Sequence, residues 1–505
     1  MHAHPRAASL CSLSFAALLA GCGAAAGEGP RREPAAPVGA VASGQGASAG
    51  AAAGSASPGA EARAGATPAG AREGASGPAM AVMAEFDRLA GASLWPGFDP
   101  RQTPIAIYDG ERTLLFRHPA PPAAFSAVDA ATGARVYPGG VYEGVTANTS
   151  ISLAGVPTAT LYAPSLASDA STEQAGVMLH ETFHVFQGQR HPTWRGNEAE
   201  AFTYPVEDAT VLETRRFELE ALRRGLAASD PAVTACWAKL ALEQRARRQA
   251  KLSTGASGYE RATELYEGLA QYVQDRAVGT AARRGLREGD VDAEGVRQGA
   301  YLVGELLALL LDRLDVGWRE RLEANDALTL DALLRPAAAS APRASCGFAE
   351  AERASMRRRA EADARAVAGG RAEQRRAFLA APGWTLRVQI EGAPWQVAGF
   401  DPLNVRRLSG AEILHTRFAK FAGPAGSFEA LGRASLSIAA GAHPLFDGVR
   451  GLVVTGLPEA PKVSDQGDGS GALSVSAPGL TAHVRGASLV REGQTLTIRV
   501  RVKPR

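Results

Sequence analysis

The run His180-Glu181-Thr182-Phe183-His184 constrains the fold of this 505-residue chain more than any other feature. Two imidazoles four residues apart share one face only when the backbone between them is helical, and on a helix both can reach one metal ion. Glu181 follows the first histidine, where its carboxylate can act on a water at that ion. With nine histidines in the chain, this pattern is expected by chance only about 0.01 times. The flanking Val177, Leu179, Phe183 and Val185 are apolar, as suits a helix buried behind a cleft. The pattern predicts a helix over residues 177–187.

Two histidines leave such a site incomplete, because a catalytic zinc usually takes three protein ligands and a water. His191, in Arg190-His191-Pro192, reads as a loop residue. Farther on, Thr263-Glu264-Leu265-Tyr266-Glu267-Gly268-Leu269-Ala270 offers Glu267, with Glu264, Asp208 and Glu213 as rivals.

The H-E-x-x-H run together with Glu267-Gly268-Leu269-Ala270 resembles the gluzincin zinc metallopeptidases, over about residues 145–335. The resemblance implies one Zn²⁺ held by His180, His184 and Glu267, with Glu181 as general base. It also implies a tyrosine on a later helix that steadies the oxyanion. Tyr301-Leu302-Val303-Gly304 looks similar to that Y-x-x-G setting, and Tyr259, Tyr266 and Tyr272 compete for the role. Between His184 and Glu267 lie 82 residues, more than in the best-known members, and an inserted helical hairpin accounts for the excess. The activity implied is hydrolysis of peptide bonds in a peptide or protein substrate. The alternatives are a zinc hydrolase of a non-peptide ester or amide, and a non-catalytic surface lipoprotein on a peptidase-like scaffold. Glu213, Glu264 and Glu305 are carboxylates available to orient the histidines. The strand expected at 158–162 is positioned to pair with an extended peptide.

The first 22 residues carry a different signal. Arg6 precedes an apolar run from about Leu10 to Ala20, too short to span a bilayer. The run ends in Leu19-Ala20-Gly21-Cys22, which resembles the lipobox of bacterial lipoproteins. That resemblance implies a signal peptide over 1–21, lipidation of Cys22 and a lipid anchor at the bacterial cell envelope, on the periplasmic face or the outer surface. In that oxidising setting Cys236 and Cys346 are left to pair as a possible disulfide. Residues 22–80 hold no aromatic residue and are dominated by Ala, Gly, Pro and Ser, so they cannot offset their ordering entropy and read as a disordered tether.

The remainder divides by pattern. Short strand-like runs at 104–108, 113–117, 135–137, 149–153 and 158–162 predict a small sheet over 100–165. Helical periodicity then runs over 173–335. A hairpin at 207–226 and 231–252 is capped by Asp230-Pro231, and helices follow at 259–277, 296–314 and 329–334. Together, 81–335 are the stretch that the gluzincin resemblance implies to be a zinc metallopeptidase-like domain. Residues 336–383 form a helical, Arg/Glu-rich linker, and 384–505 form a β-rich domain with strands at 385–390, 412–421, 434–438, 452–454, 473–475 and 495–502. The fold class expected is α+β. Lys+Arg is 54 against Asp+Glu at 52, and 49 of the basic residues are arginines, in keeping with an Ala-, Gly- and Pro-rich composition. No global field favours nucleic acid as a partner. Oligomeric state is not legible.

Overall fold

The computed structural model describes residues 77–501, apart from 131, 167–168, 281–291, 341–343, 402–403 and 466–471. The expected signal peptide, Cys22 and the expected tether up to residue 76 lie outside the described residues. The chain is a mixture of helix and sheet, with a helical region and a sheet-rich C-terminal region. Among the described residues no helix is long and apolar enough to cross a membrane.

The first described element is helix α1 (Gly77–Leu89). Strands β1 (Ile105–Tyr108), β2 (Thr113–Phe116), β3 (Ala127–Val128), β4 (Arg135–Tyr137), β5 (Thr149–Leu153) and β6 (Val156–Tyr162) form one sheet in the order β3-β4-β2-β1-β6-β5. β1 and β6 run parallel, and the other pairs are antiparallel. β6 therefore has a neighbour on each side. It cannot take a peptide as a further strand, contrary to the expectation for 158–162; the edge strand on its side of the sheet is β5.

The helical region comprises α2 (Ser171–Arg190), α3 (Ala209–Ala227), α4 (Pro231–Gln249), α5 (Thr254–Thr263), a π turn (Glu264–Gly268), α6 (Leu269–Val278), α7 (Val296–Leu314), α8 (Trp318–Glu323) and α9 (Leu330–Ser340). Asp208 and Asp230 cap α3 and α4, Asp208 accepting from the Thr210 and Val211 N–H groups and Asp230 from the Ala232 N–H, and Pro231 opens α4 where its missing N–H costs nothing. α9 continues past Pro336, farther than its sequence suggested, because burial of Ala337 and Ala338 outweighs the one lost backbone bond. One core joins sheet and helices, through Phe86, Ile105, Ile107, Leu114, Leu179, Phe183, Leu269, Val273, Leu307 and Leu311.

Cys236 on α4 is disulfide-bonded to Cys346, across 110 residues of sequence. Replacing both by serine is expected to lower the unfolding free energy by about 2–5 kcal/mol, measured by denaturant titration.

Helix α10 (Glu350–Leu379) buries only Ala360 and Ala364 and leads into a region that holds, among the described residues, thirteen strands, β7 to β19, between Trp384 and Arg501. These form two sheets that share one core, with Leu386, Val388 and Ile390 from one facing Phe421, Phe428 and Val484 from the other. The stretch read as one strand at 412–421 is two, Glu412–His415 and Phe418–Gly423, which belong to different sheets. The break at Thr416 and Arg417 lets the chain cross from one layer to the other.

His415 is fully buried in this domain, between the rings of Phe400 and Phe421, with Nε2 3.0 Å from Ser437 Oγ and Nδ1 unbonded among the described residues. Burial lowers its pKa from 6.5 to about 4. Between those values the unfolded chain takes a proton that the folded chain refuses, so stability falls as pH drops from 6.5 towards 4. The full loss attributable to this group is about 3 kcal/mol. The wild type should lose that much more stability than His415→Gln between pH 7 and 4 in unfolding titrations; equal slopes would contradict the assignment.

Candidate metal centre

The helix expected at 177–187 is longer, and its burial explains its position. Met178, Leu179 and Phe183 are completely buried, and Glu173 accepts from the Ala170 N–H at 3.2 Å to steady its first turn. Gly176 lies where α2 crosses α6: a Cβ there would stand 2.7 Å from Val278 Cγ2. The helix bearing the histidines is thus pressed against the helix that follows Glu267.

Glu267 reaches the histidines from the π turn, in which the Leu269 N–H bonds the Glu264 carbonyl. Such turns are rare and add a residue to the helical register, re-aiming the side chains they carry. The turn packs backbone to backbone on α7. A Cβ on Gly268 would stand 2.6 Å from Gly304 Cα, and one on Gly304 would stand 2.6 Å from the Glu264 carbonyl oxygen. Both glycines flagged in sequence, beside Glu267 and three residues after Tyr301, are therefore required by helix contact.

His180, His184 and Glu267 form a buried group that could hold a metal ion, their ligand atoms all within 4.8 Å of one another. Glu267 Oε2 lies 3.1 Å from His184 Nε2 and 3.5 Å from His180 Nε2. Donors held about 2 Å from a four-coordinate ion stand about 3.3 Å apart, so the observed spacing fits one. Hydrogen bonding supports the fit. Gln187 Nε2 donates to the carbonyls of Leu265 and Tyr266, at 3.0 and 2.9 Å, which turns Gln187 Oε1 towards His184 Nδ1 at 2.9 Å. With an ion bound, Nδ1 would keep its hydrogen towards Gln187, which leaves the Nε2 lone pair for the ion. His180 Nδ1 is buried and unbonded among the described residues.

Charge at the site is finely divided. Burial alone would raise the Glu267 carboxyl, but His184, His180 and Arg297 hold it well below the usual carboxylate range. Glu181 is buried without comparable compensation, and burial pushes its carboxyl up to about 7. The Tyr301 hydroxyl is buried and makes no hydrogen bond among the described residues, and its ring lies parallel to that of His180 at 6.2 Å. Burial and the Glu267 charge push its pKa far up, so it stays protonated.

The rivals are occupied elsewhere. Both oxygens of Glu264 accept from Arg245, Asp208 caps α3, and Glu213 faces Arg357. The Tyr259 hydroxyl donates to Glu198 and that of Tyr272 to Asp312; Tyr266 stacks on His184 with its hydroxyl accepting from Arg195. His191 is the loop residue expected, just past the end of α2; it is buried there, stacked on Trp194 between Glu323 and Asp326, and is not part of the three-residue group.

Two residues escaped sequence reasoning. Gln187, not a carboxylate, orients His184, and its position one turn after that histidine was the available signal. Arg297, one turn before Tyr301, bonds Glu267 Oε1 at 2.5 Å. The β-rich domain also touches this neighbourhood: His443 Nε2 donates to the Ala199 carbonyl and Arg407 to that of Tyr204, on the segment carrying Glu198. Comparison with protein-family models, with curated proteins and with solved structures finds no match.

Proposed function

We propose that this chain is a zinc-dependent hydrolase of peptide bonds, on a core similar to that of the gluzincin metallopeptidases. The observation that carries the reading is the convergence of three buried donors, two imidazole nitrogens and one carboxylate oxygen, beside the buried carboxylate of Glu181. Two histidines and a glutamate are a donor set suited to catalytic zinc. His180, His184 and Glu267 would hold the ion, which when bound supplies a Lewis acid and a water made acidic enough to react near neutral pH.

The protein's own groups supply the rest. Glu181, pushed towards 7, is matched to taking a proton from water and giving it to a departing amine. A purely structural site has no use for that carboxylate. Tyr301 keeps its proton and can donate it in a hydrogen bond to an oxyanion. The outer edge of β5, which packs beside α2, is the strand edge that an extended peptide would meet. The Cys236–Cys346 disulfide supports export to an oxidising compartment, in line with anchoring through Cys22.

The test is product analysis by mass spectrometry after incubating the purified chain with a peptide mixture. Cleavage is expected, abolished by a zinc chelator and restored by added Zn²⁺. Cleavage that survives chelation, or turnover of simple esters with peptides left intact, would overturn the reading.

A further inference from the structure

The two oxygens of Glu267 are divided between different partners. Oε2 faces both imidazoles, while Oε1 accepts from Arg297 Nη2 at 2.5 Å. A carboxylate can give an ion one oxygen or two, and the second occupies space that a reacting water needs. We propose that Arg297 is a positioning residue that holds Glu267 as a one-oxygen ligand and so keeps a coordination position open. This inference rests on the metal-site reading above and adds a determinant of coordination number to it.

The guanidinium is itself held by two further contacts, with Glu198 and with the Tyr301 ring. Its Nε donates to Glu198 Oε1 at 3.1 Å, and the other Glu198 oxygen accepts from the Tyr259 hydroxyl at 2.8 Å. Its carbon sits 5.3 Å from the centre of the Tyr301 ring, one turn along α7. The side chains of Arg297, Glu198 and Glu267 retain only 15, 12 and 6 % exposure. Little water can therefore compete, and a charge-assisted bond between planar groups is directional as well as strong. To swing Oε1 onto the ion, Glu267 would have to break that bond and leave the guanidinium short of a partner in a buried place. In Arg297→Met nothing opposes the swing.

The experiment uses the full chain stripped of metal and titrated with Co²⁺, whose visible bands are intense when four-coordinate and weak when five- or six-coordinate. The wild type should give intense bands at one ion per chain. Arg297→Met should still bind one ion but with at least twofold weaker bands, Arg297→Lys should recover part of the intensity, and zinc affinity in Arg297→Met should fall by about 10- to 100-fold. Wild-type band intensity in Arg297→Met would overturn the proposal. A second measurement needs no variant: infrared difference spectra of the wild type on Zn²⁺ binding should show the wide separation of carboxylate stretches that marks one-oxygen ligation, and a narrow separation would overturn it. If the wild type and His184→Ala take up Co²⁺ alike, the metal-site reading itself fails. Intense wild-type bands, absent in His184→Ala and unchanged in Arg297→Met, remove only the role of Arg297.

Discussion

Glu181→Gln is expected to keep its metal and lose about 10²- to 10⁴-fold in peptide hydrolysis. The substitution preserves size and leaves untouched His180, His184 and Glu267, the group that could hold the ion. What it removes is a carboxylate that can accept a proton. The surroundings tune that carboxylate: burial lifts it to about 7, with His180 and Arg297 pulling the other way and Glu267 reinforcing the lift. A group so poised gives up and regains a proton near neutrality, whereas an amide does neither. The check is kcat/KM for a cleaved peptide alongside metal content of the same preparation. Loss of metal together with activity would make Glu181 a ligand instead.

Arg245→Met is expected to destabilise the helical core by about 3–5 kcal/mol. Arg245 is completely buried and donates to Glu218 at 2.7 Å and to both oxygens of Glu264, at 2.6 and 2.9 Å. Arg248, also buried, pairs with Glu218 and with Glu260. Two cations thus satisfy three carboxylates, all of them buried. Methionine fills much of the volume but leaves Glu264 and part of Glu218 without partners in a medium that penalises charge. The consequence reaches the metal centre, since Glu264 opens the π turn that presents Glu267. Denaturant titration should show the loss, and zinc affinity should fall with it. Unchanged stability would mean that water enters the network.

The legible parts of this molecule were those encoded locally. Residues i and i+4 on a helix share a face whatever surrounds them, so the juxtaposition of His180 and His184 on α2 is legible in sequence. Asp230-Pro231 declared a helix start for the same reason, and alternation along residues 385–390 declared a half-buried strand, as the buried Leu386, Val388 and Ile390 bear out. Glu267 was harder. Only the resemblance of E-G-L-A favours it over Glu264 three residues earlier; the π turn and the prior claim of Arg245 on Glu264 separate the two physically, and both are tertiary facts. Gln187 and Arg297 were overlooked because their residue types occur everywhere and acquire meaning only from the atoms they face. The strand at 412–421 failed for a related reason: a bend of two residues between sheets leaves the hydrophobic pattern unbroken. β6 looked like a free strand because sequence order does not say which strand lies at an edge.

Metal content tests the account most directly. After loading with zinc and removal of excess, elemental analysis of the wild type should give one ion per chain, and Glu267→Ala, folded by circular dichroism, should give far less under the same conditions. Full occupancy in Glu267→Ala, or no bound metal in the wild type, would contradict the claim that His180, His184 and Glu267 share an ion.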